Sequence, residues 1–200
     1  MPYPPLIEKV IFHFSKLPGV GRRSAERMAF WVLGHSREEV SALAQSIVEL
    51  KENLKSCRLC NNFAQADVCM ICSDSSRDQY TLCVVEDPKD VLAIEKTGAY
   101  KGQYHVLMGN ISPADGRGPE DIKIGHLVNR VQSGLIKEVV IATDPDNEGE
   151  MTSLYIIDRL KDKNVKVSRI GLGIPMGSSV EFSDMSTLCV SFNSRRKIQK

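Results

Sequence analysis

The sequence predicts a multi-part α/β chain: an all-helical N-terminal region, a small four-cysteine knuckle, a parallel α/β sheet and a short C-terminal segment. Three observations carry this. Residues 5–55 show helical periodicity, four cysteines fall in two close pairs between 57 and 72, and β-rich runs alternate with longer stretches from residue 80 onward.

Helices are expected over 5–15, 22–33 and 37–55, the third opened by Ser36 and Glu39 as an S-x-x-E capping box. The first two are joined within LPGVGRRSAERMAFWVL (17–33) by Pro18-Gly19-Val20-Gly21. Glycine permits the positive φ of a tight helix-to-helix turn, and its missing side chain lets a phosphate approach the N–H groups that open the next helix. Arg23 and Arg27 are four apart and therefore share one face near that positive end. The pattern predicts a helix-hairpin-helix that holds the sugar-phosphate backbone without reading bases, with Gly19, Gly21, Arg23 and Arg27 as DNA contacts. Ala25, Met28, Ala29 and Val32 or Leu33 are its expected apolar stripe. The charge distribution agrees. Although the net charge is +1, residues 16–37 carry five basic side chains against one acid, while residues 86–150 carry twelve acids against seven bases.

CRLCNNFAQADVCMIC has the spacing C-x2-C-x8-C-x2-C. Each pair can turn two sulfurs toward one point, so Cys57, Cys60, Cys69 and Cys72 together supply the tetrahedral sulfur set that zinc prefers. Disulfides are the alternative, disfavoured in a reducing compartment and between neighbours this close, and an iron–sulfur cluster is the lesser one. Four thiolates leave no open coordination position, so one structural zinc per chain is expected. Cys83 and Cys189 lie in apolar runs and are expected to pack.

YTLCVVE (80–86), HVLMGNI (105–111), KEVVIAT (137–143) and VKVSRIG (165–171) are expected strands, with crossover helices near 88–97, 120–133 and 149–163. Glu86 falls where the first strand ends, and Asp144 and Asp146 fall where the third ends. In an open parallel sheet those ends line the ligand crevice, so the three carboxylates form a candidate Mg²⁺ or partner site. Like charges this close need an offset, for which Lys89 and Arg117 are candidates. Glu148 and Glu150 have the alternative task of facing a helix N-terminus. The tail from Ile174 adds an apolar run, 187–192, and a basic end, Arg195-Arg196-Lys197.

The glycine hairpin, the cysteine knuckle and the E…DxD sheet, in this order, resemble the RecR family of bacterial recombination mediators. The likeness extends through VVEDPKDVLAIEKTGAYKGQYHVLMGNISPADGRGPEDI and IGLGIPMGSSVEFSDMSTL, and the sheet resembles a Toprim domain. The resemblance implies residues 1–56 as the DNA-binding helical region, 57–72 as the zinc finger, 80–175 as the Toprim domain and 176–200 as an oligomer contact. It also implies a non-enzymatic role in recombinational repair. The chain would bind single- and double-stranded DNA, act with RecO and RecF to load recombinase onto gapped DNA, and form a ring-like dimer or tetramer. Arg23 and Arg27 would touch DNA, the cysteines would hold zinc, and Glu86, Asp144 and Asp146 would form the Toprim acidic site, for a partner or a divalent metal. One departure stands out: DPDNEGE keeps a fuller acid set than many relatives and is closer to type IA topoisomerases. A Mg²⁺-dependent nuclease or topoisomerase-like enzyme is therefore the alternative. The topoisomerase version needs a tyrosine nucleophile in a further domain, for which this chain has no room, and its five tyrosines are expected in packing or interfaces. The apolar runs fall short of the roughly 18 residues of a membrane span, and the Pro-rich start lacks signal-peptide order, so the expected location is cytoplasmic, at the nucleoid.

Overall fold

The computed structural model describes residues 3–195, and Arg196 and Lys197 of the basic end lie outside the described residues. The chain divides into two compact units, Met1–Leu54 and Lys55–Lys200.

The first unit holds helices α1 (Pro5–Phe14), α2 (Arg22–Gly34) and α3 (Arg37–Asn53). Pro5 occupies the first position of α1, where its missing N–H costs no hydrogen bond. The chain then turns through Leu17–Val20, where the Val20 N–H donates to the Leu17 carbonyl at 3.0 Å and Gly19 takes a φ of 75°. The capping box of α3 forms: Ser36 Oγ accepts from the Glu39 N–H at 3.3 Å, and Glu39 Oε2 accepts from the Ser36 N–H at 3.1 Å. Helix α1 packs on α2 through Ile11, Ala25 and Ala29, the small alanines allowing close approach. Met28 and Leu33, placed by the sequence on the apolar stripe, are instead exposed, and α3 buries no residue at all.

In the second unit a minimal hairpin pairs β1 (Lys55–Ser56) with β2 (Phe63–Ala64), followed by a short helix α4 (Met70–Ser73). The strands β3 (Thr81–Val85), β4 (Gln103–Val106), β5 (Glu138–Ala142) and β6 (Lys166–Arg169) form one parallel sheet in the order β4-β3-β5-β6. Between them run α5 (Pro88–Thr97), α6 (Ile124–Gln132) and α7 (Asn147–Leu160).

Alternation along the strands sorts the core into two faces. Leu82, Val84, Val139 and Ile141 pack with Leu127 and Val131 of α6 and Ile156 and Leu160 of α7. Cys83, Val85, Tyr104, Val106 and Ala142 pack with Val91 and Ile94 of α5 and Ile71 of α4. The second strand departs from expectation. It occupies 103–106 rather than 105–111, because Met108 and Gly109 take φ values of 62° and 135° and turn the chain out of the sheet. The tail ends in α8 (Met185–Asn193), whose N-cap Asp184 accepts from the Thr187 N–H at 2.9 Å. No helix among the described residues is long and apolar enough to cross a membrane.

Candidate functional site

The helical turn presents what a phosphate contact requires. Gly21 caps α2 without a side-chain acceptor, the first turn of the helix carries no acid, and a Cβ placed on Gly19 or Gly21 would meet nothing within 4 Å. The N–H groups of Arg22, Arg23 and Ser24 have no acceptor among the described residues, as expected at a positive helix end without a side-chain cap. Of the three arginines there, Arg22 is engaged: it bonds to Glu8 at 3.1 Å and Glu26 at 3.2 Å. Arg23 and Arg27 are exposed, with no carboxylate partner among the described residues.

The four cysteines converge. Their sulfurs all lie within 4.8 Å of one another, with Cys60 and Cys69 at 3.5 Å, against an edge of about 3.8 Å for a tetrahedron of thiolates around zinc. Two backbone N–H groups already point at sulfur, from Asn62 to Cys60 at 3.4 Å and from Cys69 to Cys57 at 3.3 Å. Burial pushes Cys57 up, but backbone donors outweigh it and hold that thiol at about 7. Burial pushes Cys69 up to about 11, while Cys72 and burial together raise Cys60. A thiol set so close and so buried fits a cation that takes the charge of all four, and the surrounding cluster adds just Ala64, Val68 and Ile71 as apolar packing.

The acidic residues lie where the topology reverses. The chain leaves β3 toward β4 on one side and reaches β5 on the other, so the loops after β3 and β5 flank the switch point of the sheet. Glu86 sits in the first loop, only 4% exposed. Its Oε1 accepts from the Asp144 N–H at 3.0 Å and its Oε2 from Asn110 Nδ2 at 2.9 Å. Burial raises its pKa above the usual carboxylate range; those two donors oppose the shift, and Asp144 and Asp146 add to it. Asp146 is the N-cap of α7, accepting from the Gly149 N–H at 2.8 Å. Asp144 is exposed, without a hydrogen-bond or ion-pair partner for its carboxylate among the described residues. Glu150 pairs with Arg169, in keeping with a structural task. The expected offsetting cations are engaged nearby: Lys89 lies 3.2 Å from Asp87, and Arg117 lies 3.0 Å from Asp115. Among the described residues, the cysteine set is the group of three or more metal-ligating side chains with donors close enough to share an ion. The carboxylates are thus neighbours with separate tasks, one bonded into two loops, one capping a helix and one facing solvent.

Several residues complete this arrangement without having been singled out in the sequence. A Cβ on Gly149 would lie 2.1 Å from the Asp144 carbonyl oxygen, so glycine lets α7 close on the loop. Thr152 Oγ1 donates to the Glu148 carbonyl at 2.7 Å and accepts from the Ile111 N–H at 2.9 Å, joining α7 to the loop after β4. Asn110 lies in the Met-Gly-Asn turn, where a break in the strand was the available signal; Gly149 and Thr152 carried none beyond their place in a helix.

A parallel sheet with acids at its switch point, beside a four-cysteine knuckle and after a glycine helical hairpin, defines a Toprim-bearing, DNA-binding class of protein. Residues 80–171 match the Toprim domain model. Residues 7–51 match the model described as RecR, helix-hairpin-helix, and residues 54–74 match that of the RecR four-cysteine zinc finger domain. Together the three matches make up the RecR architecture, and the chain carries it from end to end of the matched region. These domains mark a DNA-binding protein of recombinational repair.

Proposed function

We propose that this chain is a recombination mediator that binds the DNA backbone and does not cut it, acting with RecO and RecF to load recombinase onto gapped and single-stranded DNA. The observation that carries the reading is the pair of exposed arginines, Arg23 and Arg27, in the first two turns of α2, neither with a carboxylate partner among the described residues. Gly19 and Gly21 leave the backbone accessible beside them. In this reading residues 1–56 bind DNA, 57–72 hold a structural zinc, 80–175 form the Toprim domain, and 176–200 contribute to assembly. Glu86 and Asp146 serve as structural carboxylates, leaving Asp144 for a protein partner.

The assembly is a closed ring of copies of this chain. Supporting it, the 54 residues of Met1–Leu54 bury just Ile11, Ala25 and Ala29 among the described residues, while Leu43, Ile47, Val48 and Leu50 of α3 stay exposed. A unit this small with so little core is marginal alone, and a second copy covering α3 supplies what is missing.

The alternative is a Mg²⁺-dependent nuclease, favoured by the Asp144 carboxylate, which is exposed and has no partner among the described residues. Labelled single- and double-stranded DNA incubated with the protein and Mg²⁺ or Mn²⁺ separates the two. Binding without cleavage is expected, and cleavage that disappears in Asp144→Ala would overturn the mediator reading.

A further inference from the structure

Strand β4 is an edge strand, and four of the backbone groups along its outward side, from Gly102 to Val106, are met by the chain on its far side. The Val106 N–H donates to the Cys60 carbonyl at 2.8 Å, and the Val106 carbonyl accepts from Asn61 Nδ2 at 3.0 Å. Two residues earlier the Tyr104 carbonyl accepts from Arg130 Nη1 at 2.6 Å, and two before that the Gly102 carbonyl accepts from Arg77 Nε at 2.9 Å. Residues 102, 104 and 106 alternate as one edge of a strand must. Arg130 also donates to the Leu59 carbonyl at 3.2 Å, and His126 Nδ1 lies 3.2 Å from Asn61 Oδ1, so α6 clamps the same turn against the sheet.

The covering turn is the one that the first two cysteines define. Asn61 takes a φ of 63° immediately after Cys60, and its N–H donates to the Cys57 carbonyl at 2.9 Å. The shape that aims Cys60 O and Asn61 Nδ2 at β4 thus depends on the two sulfurs being held together. The strand itself, Gln103-Tyr104-His105-Val106, contains no proline, no glycine and no formal charge. Those are the usual deterrents to edge pairing, and in their absence the cover is what prevents it.

We propose that the knuckle is a metal-dependent cover of the β4 edge, and that loss of zinc frees the edge to pair with β4 of a second copy of this chain. An edge pairing antiparallel with itself across a two-fold axis satisfies the same groups that Cys60, Asn61 and Arg130 now satisfy. The inference rests on the structural-zinc reading, and metal analysis of the full chain before treatment tests that reading by itself: about one zinc per chain is expected.

The experiment follows hydrogen exchange at single amides and sedimentation of the full chain, as purified, after a strong chelator, and after zinc is restored. Chelation should speed exchange at Val106 by about tenfold or more while amides of β3 change by less than about twofold. Self-association above that of the zinc-loaded protein should appear with it and reverse when zinc returns. Asn61→Gly keeps the four cysteines and tolerates the positive φ, so it should keep its zinc yet exchange at Val106 about fivefold faster. Unchanged exchange at Val106 in zinc-free protein would overturn the proposal. So would β3 and β4 losing protection together, which would make zinc a support of the whole sheet, and so would a loosened edge without added association.

Discussion

Replacing Arg23 and Arg27 together by alanine tests the DNA interface most directly, because the structure fixes how many charges are lost. Both guanidiniums are exposed and neither has a carboxylate partner among the described residues, so each is available to neutralise one phosphate. Loss of two phosphate contacts lowers the slope of log affinity against log salt by about 1.8 on duplex and about 1.4 on single strands. Between roughly 50 and 200 mM salt the duplex figure amounts to about a twelvefold change in the affinity ratio of parent to variant. Fluorescence anisotropy with labelled oligonucleotides of unrelated sequence, titrated at four or more salt concentrations, reads it. Arg22→Ala is the matched comparison, since that guanidinium is already bonded to Glu8 and Glu26 and should change the slope far less. A double variant with the parent slope would refute the reasoning. So would an Arg22→Ala protein that behaves like the double variant.

Three further outcomes follow from the sheet and the knuckle. Burial raises the Glu86 carboxyl, so its contribution is fully present below the unfolded pKa and is lost as pH rises through the folded one. Glu86→Gln removes that loss, and Asn110 can turn its unpartnered Oδ1 toward the new amide. Urea unfolding from about pH 4 to pH 7 should therefore show the variant gaining on the parent as pH increases, and a constant difference would count against it. Gly149→Ala sets a methyl group against the Asp144 carbonyl oxygen and should destabilise the second unit by about 3 kcal/mol, read as a lowered urea midpoint. Cys69→Ser should leave substoichiometric zinc by elemental analysis, and retention of one equivalent would remove Cys69 from the ligand set.

Local chemistry was legible in the sequence where it repeats over a few residues. The capping box at Ser36, the positive φ at Gly19 and the convergence of the four sulfurs all depend on neighbours no more than a knuckle apart. The parallel sheet followed from alternation of strands and helices, and strand order then carried Glu86, Asp144 and Asp146 to one end. What pattern could not supply was the use of each carboxylate. Glu86 stands in the sequence as a candidate for a Mg²⁺ or partner site, and what the sequence does not show is that the loop after β4 brings Asn110 against it from 24 residues away. The early end of β4 had the same origin: HVLMGNI is apolar enough for a strand, but the segment turns so that the Gly109 N–H donates to the Glu86 carbonyl and Asn110 to the Glu86 side chain. The exposed face of α3 was hidden for another reason, since helical periodicity predicts a buried face without saying which molecule buries it.

In the proposed assembly, that bare helix couples folding to concentration. With Ile11, Ala25 and Ala29 as the buried residues among those described in Met1–Leu54, the proposed ring would add to the three helices the apolar contacts that Leu43, Ile47, Val48 and Leu50 lack in the single chain. Mass action then applies to the fold itself. On dilution these helices should melt well before the sheet does, so a thermal scan at low protein concentration should split into two transitions that draw together as the sample is concentrated.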